Sequence, residues 1–289
     1  AGVESFAKLS LALLLRYRDN LDRGRTACFL QRGLKSGANR GEIGGEAGGM
    51  DMIGIGVHDG LRTRAAKLAA AAAGLKRQSR AAATPFSLAF LTDRWRVTNP
   101  EPIIRAMPAG AAVIYRDYDD PRRRAVARRL AAICRLRGVL FLVGGDCALA
   151  REIGADGVHW PARMLPGARK GCGLIVTAAC HNAAELKLAD AAGAQAALLS
   201  PAFATGSHPN ANGLGVALFR ALAAHSPLPV LALGGVDATN AQLLAGPNVA
   251  GFAAISAFKA EKIRSADLLT TQLRRAPTQF PRYRRLGSS

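Results

Sequence analysis

Pro229-Val-Leu-Ala-Leu-Gly-Gly-Val236 and, some way on, Gly251-Phe-Ala-Ala-Ile-Ser-Ala-Phe258 decide how this chain is to be read. Each apolar run is too short for a helix and too unbroken for a half-exposed strand. Each therefore reads as a strand buried on both faces, as in a parallel sheet. The first run ends on Gly234 and Gly235, the second on Ser256. Backbone without side chains at the C-terminal end of a strand can approach an anion and offer it N–H groups. In an eight-stranded α/β barrel, the loops after the last two strands are where a phosphate usually sits. A plain tight turn would use the same glycines, so the weight falls on whether the rest of the chain supplies the other strands.

Working back from residue 229, it does. Short apolar runs recur at Ser87–Thr92, Ala111–Tyr115, Val139–Val143, Gly157–Trp160, Leu174–Ala178 and Ala196–Ser200. Between them lie helical stretches at Asn99–Met107, Asp120–Arg137, Cys147–Ile153, a segment that Asn182 can cap, Gly215–His225 and Asn240–Leu244, with Ser265–Arg275 to close. Eight strands alternating with helices predict a single (β/α)8 TIM barrel over residues 86–276. A doubly wound open sheet is the alternative, but no dinucleotide-type glycine fingerprint follows the first strand.

Residues 1–85 are a different kind of sequence, expected to form a poorly ordered basic N-terminal extension with short helices. Ser10–Arg18 suits a short helix, and Gly33–Gly49 has glycine and scattered charge but no apolar period. Met50-Asp-Met52 suggests an alternative translation start. A basic organellar leader is the competing idea, against which Asp19, Asp22, Glu42 and Glu46 count. Leu61–Arg80 reads as a basic helix leading into the barrel, and residues 277–289 as a basic tail.

The formal charge of +19 would suit an anionic ligand, a nucleic acid or an Arg-rich solvated surface. The arginines gather on one predicted helix (Arg122, Arg123, Arg124, Arg128, Arg129, Arg135, Arg137) and in the tail, with no interleaved aromatic platform. That argues against dedicated nucleic-acid binding. No apolar run spans a bilayer, so no membrane partner is expected. Five cysteines without CxxC spacing read as reduced thiols of a cytoplasmic protein. Homo-oligomerisation is compatible with the sequence but not specified by it.

In a barrel, chemistry belongs to the C-terminal strand ends. There stand Asp93 and Arg94, Arg116 and Asp117, Gly144-Gly145-Asp146, His159, Cys180-His181, Ser200 with Thr205 and His208, Gly234-Gly235, and Ser256. Leu91-Thr-Asp-Arg94, Ile114-Tyr-Arg-Asp117, Gly154-Ala-Asp-Gly-Val-His159, Ser200-Pro-Ala-Phe-Ala-Thr205, Ala232-Leu-Gly-Gly-Val236 and Ala254-Ile-Ser-Ala257 follow one another at barrel spacing. In this series the chain, from about Leu88 to Phe258, resembles the thiamine phosphate synthase and thiazole tautomerase superfamily. The synthases join a pyrimidine diphosphate to a thiazole phosphate with Mg²⁺. The tautomerases isomerise a thiazole carboxylate phosphate without it.

The resemblance implies that Arg116 contacts diphosphate, that Gly234, Gly235 and Ser256 cradle the thiazole phosphate, and that Thr205 lies in a closing loop. Elsewhere the pattern departs. Gly144-Gly145 stand where the synthases carry Asn-Asp, with Asp146 one place late. Pro161-Ala-Arg-Met164 stands where an acidic residue follows the family histidine. Ile114 replaces a glutamine, Tyr118 a lysine and His208 a loop lysine. Since Mg²⁺ wants carboxylate and phosphate oxygens, the sequence favours metal-independent, tautomerase-type acid–base chemistry with His181 as base, Arg116, Thr205 and His208 on phosphate, and no cofactor. A Mg²⁺-dependent synthase with Asp146 as displaced metal ligand is one alternative; a non-catalytic phosphometabolite-binding barrel is another. His181 would equally serve as a helix-entry residue, and His159 is expected to be structural. A Cys180–His181 dyad is disfavoured because successive strand residues face opposite ways.

Overall fold

The computed structural model describes residues 52–81, 83–168, 173–205 and 213–259. Eight parallel strands close on themselves in chain order. They are β1 (Leu88–Leu91), β2 (Ala112–Tyr115), β3 (Leu140–Gly144), β4 (Gly157–Trp160), β5 (Ile175–Cys180), β6 (Ala196–Leu199), β7 (Val230–Leu233) and β8 (Val249–Ala254). The pairing of β1 with β8, Ala89 opposite Ala253, shuts the barrel and leaves no open edge.

Alternation along each strand sorts the side chains into two cores. Leu91, Ile114, Leu142, Ile175, Leu198 and Leu231 fill the barrel interior. Phe90, Val113, Tyr115, Phe141, Val176 and Phe252 face the surrounding helices. Carried one step further, the inward parity places Arg116 above Ile114, Gly144 above Leu142 and His159 above Gly157, at the C-terminal mouth.

The helices are α1 (Met52–Gln78), α2 (Glu101–Ala106), α3 (Arg123–Arg137), α4 (Cys147–Glu152), α5 (Ala183–Ala191) and α6 (Gly215–Ala224). After β4 and β7 the crossovers shrink to 3₁₀ turns, Ala162–Gly167 and Ala241–Leu244. Pro166 lies inside the first. In the second, Asn240 spends its side chain on the preceding loop, accepting from the Asp237 N–H at 2.9 Å and donating to the Gly235 carbonyl at 2.8 Å. An α-helix over Asn240–Leu244 is therefore not what forms.

The extension differs most from its reading. The helix expected at Leu61–Arg80 runs from Met52 to Gln78 and lies on β8, β1, α2 and the Ala241–Leu244 turn. It thus covers the seam between the last and first strands. Leu61, Ala65, Leu68, Ala72 and Leu75 form its buried stripe at helical spacing. Gly74 lets it come close, since a Cβ there would sit 2.6 Å from Gln242 Nε2. Gln242 in turn donates to the Ala71 carbonyl at 3.0 Å. Residues Ser10–Arg18, Gly33–Gly49, Ser265–Arg275 and the basic tail lie outside the described residues, as does His208. Among the described residues no helix is long and apolar enough to cross a membrane.

Candidate active site

The mouth is best taken strand by strand. Past β1, Asp93 turns the chain: its Oδ1 accepts from the N–H groups of Trp95 and Arg96, and its Oδ2 pairs with Arg96 Nε at 3.2 Å. Past β2, the Arg116 N–H donates to Thr92 Oγ1 at 3.0 Å, and Asp117 Oδ1 accepts from the Arg94 N–H at 2.9 Å. These bonds lock the β1 and β2 loops to each other. Between them opens a pocket of about 330 Å³ lined by Thr92–Trp95 and Arg116–Asp119. Exposed Trp95 stands at its rim with the Arg94 guanidinium 4.9 Å from the ring centroid.

Arg116 is the central charge of this pocket. Burial holds its guanidinium pKa below the ordinary value, opposed by Tyr118 and Asp93 and reinforced by Arg96. Its Nε is buried without a hydrogen-bond partner. An arginine stays protonated in such surroundings, so a buried donor is left over.

Tyr118 occupies the corner between β2, β3 and β4. Arg123 lies 5.2 Å from the centroid of its ring, and Arg163 likewise 5.2 Å. The Arg123 guanidinium also donates to the Gly144 carbonyl at 2.7 Å. The phenol pKa is raised by burial, while Arg116, Arg163 and Arg123 each pull it down. A Cβ on Gly144 would meet the Tyr115 carbonyl oxygen and the Tyr118 hydroxyl, both at 2.9 Å. Tyr118 thus fills the space a side chain at 144 would take. Met164 covers Gly145 in the same way, its sulfur 3.0 Å from where a Cβ would be.

Asp146 does not reach toward this corner as a free carboxylate. It caps α4, accepting from the Leu149 N–H at 2.8 Å. Among the described residues no group of three His, Cys, Asp or Glu side chains is placed to hold a metal ion.

His159, buried in the barrel, pairs through Nδ1 with Thr177 Oγ1 at 2.9 Å. Burial first, and Arg116 second, push its pKa down to about 3, so it is a neutral structural group near pH 7. His181 lies past β5 at the entrance to α5, about half exposed. Its Nδ1 and its backbone N–H both meet Glu185 Oε2, at 2.8 and 2.7 Å, while Asn182 caps the helix. Cys180 faces the outer core, and burial raises its thiol pKa to about 12, so it forms no dyad with His181.

On the far side, Gly234 and Gly235 adopt φ values of 98° and 67°. Their open flanks are already taken by protein. A Cβ on Gly234 would lie 2.9 Å from Pro201 Cα, and one on Gly235 would lie 2.8 Å from the Ala204 carbonyl oxygen. The β6 loop is bonded down here, Phe203 N–H to Gly234 O at 3.0 Å and Ala202 N–H to Leu233 O at 2.8 Å. Half-buried Thr205 ends the described part of that loop. Ser256 is exposed at the start of a 3₁₀ turn, Ser256–Phe258.

The barrel thus brings Gly234, Gly235, Ser256, Thr205 and Arg116 to one mouth, with His181 at its edge. Sequence reasoning missed Arg123 and Arg163 as members of the site, because both lie in crossovers after their strands. The signal available was the pairing of Tyr118 with Gly144, a large residue and an absent side chain exchanged across two strand ends.

A family model described as thiamine monophosphate synthase matches residues 88–258. The chain is 36% identical over 203 residues to the thiamine-phosphate synthase of Bordetella pertussis, covering 63% of this chain and 92% of that protein. To the thiamine-phosphate synthase of Thiobacillus denitrificans it is 37% identical over 168 residues, 54% of this chain and 78% of the relative. A solved thiamine phosphate pyrophosphorylase from Pyrococcus furiosus superposes with a TM-score of 0.51 at 24% identity, over 68% of this chain and 98% of that one. That last likeness bears on the fold alone. The chain belongs to the thiamine monophosphate synthase family.

Proposed function

We propose that this family member is a thiamine-phosphate synthase, joining a pyrimidine diphosphate to a thiazole phosphate. The observation that carries the reading is the match to the Bordetella pertussis synthase over nearly that whole protein. The sequence on its own favoured tautomerisation; the relatives named here are synthases, and His181 adds nothing for the tautomerase. A base for that reaction gains from a shielded pocket, whereas His181 is about half exposed and tied to Glu185 at the entry of α5.

In the synthase reaction the bond between the pyrimidine's methylene carbon and the diphosphate oxygen breaks, and its electron pair leaves with the diphosphate. The thiazole ring nitrogen supplies the pair for the new C–N bond. No oxidant or proton donor is needed, only positioning and compensation of the charge on the leaving group. Arg116, with its unpaired buried Nε, suits the diphosphate. Gly234, Gly235 and Ser256 are assigned to the thiazole phosphate, with Thr205 and, by its match to the family's loop lysine, His208 as further phosphate contacts. The reduced thiols Cys134, Cys147 and Cys180 suit a cytoplasmic enzyme.

The test is turnover of the purified full chain on both substrates, following thiamine phosphate and released pyrophosphate together. Stoichiometric appearance of the two supports the synthase. Isomerisation of a thiazole carboxylate phosphate, with no coupled product, would return the reading to the tautomerase.

A further inference from the structure

The corner between β2, β3 and β4 is a poor place for Mg²⁺. That ion wants hard oxygen donors in near-octahedral array. Here the space over Gly144 holds the Tyr118 phenol, and Gly145 faces the Met164 thioether, a soft and weak ligand. One Asp146 oxygen caps its helix by accepting from the Leu149 N–H, both Asp93 oxygens serve the Trp95–Arg96 turn, and one Asp117 oxygen accepts from the Arg94 N–H.

What the corner does contain is guanidinium. Arg123 and Arg163 flank the Tyr118 ring, and Arg116, two residues earlier in the chain, lines the same pocket as Tyr118. Among the described residues none of the three forms an ion pair with a carboxylate. Arg116 Nε and Arg123 Nη1 are both buried with no hydrogen-bond partner. Buried donors cost free energy when they stay unmatched. Two such donors on like-charged groups, one two residues before Tyr118 and one over its ring, point to an anion that would satisfy both.

Resting on the synthase reading, we infer that Arg116, Arg123 and Arg163 around Tyr118 form a metal-independent diphosphate site. The planar, always-charged guanidinium matches phosphate oxygens two at a time. Three of them meet the charge that the departing diphosphate takes with its bonding pair. Cation–π contact with Tyr118 holds Arg123 and Arg163 in place, and Arg123, which gives one Nη to the Gly144 carbonyl, keeps its Nη1 for the anion.

The experiment is calorimetric titration of the full chain with inorganic pyrophosphate, in EDTA and again in Mg²⁺, beside thiamine phosphate formation under the same two conditions. Binding in EDTA, changed less than about threefold by Mg²⁺, is expected. Arg163→Ala, at an exposed position, should weaken that binding about tenfold with an unchanged unliganded Tm. Arg123→Lys keeps the charge but not the planar fork, and should fall between. Arg137→Ala, at the other end of α3, should leave it intact. Binding seen only with Mg²⁺, or equal losses in Arg163→Ala and Arg137→Ala, would overturn the inference. Coupled product made only with Mg²⁺ overturns it too, while preserving the synthase reading. Pyrophosphate bound in EDTA without product in either condition keeps the site and discards the synthase.

Discussion

On the β2–β4 side of the barrel mouth, the space above the strand ends is filled by side chains; on the β6–β8 side it is filled by backbone. Tyr118 lies over Gly144, flanked by two arginines. Across the mouth, the loop Pro201–Ala204 presses directly on Gly234 and Gly235 and is hydrogen-bonded to the Leu233 and Gly234 carbonyls. Both sides use glycine, but for different reasons. At Gly234 the backbone itself sits in a region that L side chains rarely adopt, so no rearrangement of neighbours relieves a substitution. At Gly144 the obstruction is partly the tip of a side chain, which can turn away. Gly234, on the β6–β8 side, is therefore fixed by conformation, whereas position 144, on the β2–β4 side, is open to change by exchange of side chains.

The sharpest way to break this contrast is Gly234→Ala. Strain at positive φ and the clash with Pro201 together should cost about 2–5 kcal/mol, read by urea denaturation. A loss below about 1 kcal/mol would mean that the β6 loop yields and that the side is not conformationally rigid.

Next in size is the acid response of the β2–β4 side, through His159. Its folded-state pKa, about 3, lies below the ordinary 6.5. The unfolded chain therefore binds the proton first, and the stability tied to neutral His159 is complete above pH 6.5 and is lost as pH falls toward 3. Between pH 6.5 and 5 the loss should be about 2 kcal/mol. His159→Gln should flatten that slope; an unchanged slope would place the sensitivity elsewhere.

Gly144→Ala should cost about 1–2 kcal/mol. Part of that should return in the double variant with Tyr118→Phe, which removes the hydroxyl that the new Cβ would meet. Purely additive losses would show that the Tyr115 carbonyl, not Tyr118, guards the position. Smallest of all, Glu152→Ala removes the partner of Arg124 and Arg128 on the outer surface. It should shift stability by less than about 1 kcal/mol and leave pyrophosphate binding alone.

Much of this was legible in the residues, for reasons that differ by element. Strands β4 and β7 begin and end where short apolar runs bounded by polar or glycine residues placed them, because a strand buried on both faces has nowhere to put anything else. The cap at Asn182 was equally local. By contrast, α1 was read only as a basic helix, Leu61–Arg80, leading into the barrel. Its alanine-rich face gives a weak periodic signal, and its place over the β8–β1 seam rests on contacts with elements far along the chain, which sequence spacing does not express. The roles of Asp146 and His181 were likewise open. Each is a polar residue at a strand end, and only its nearest neighbours show that one caps α4 and the other is held by Glu185.

The sequence by itself therefore determined the barrel, its strand order and the family. These follow from apolar periodicity and from motifs in series, both of which are carried along the chain. What only the tertiary structure decided is how the mouth is furnished: that Tyr118 takes the space left by Gly144, that Arg123 and Arg163 flank it, and that the glycines of β7 are braced by the β6 loop. Such arrangements depend on side-chain volume and charge meeting across crossovers far apart in the chain, a matter of packing in three dimensions that no local pattern records.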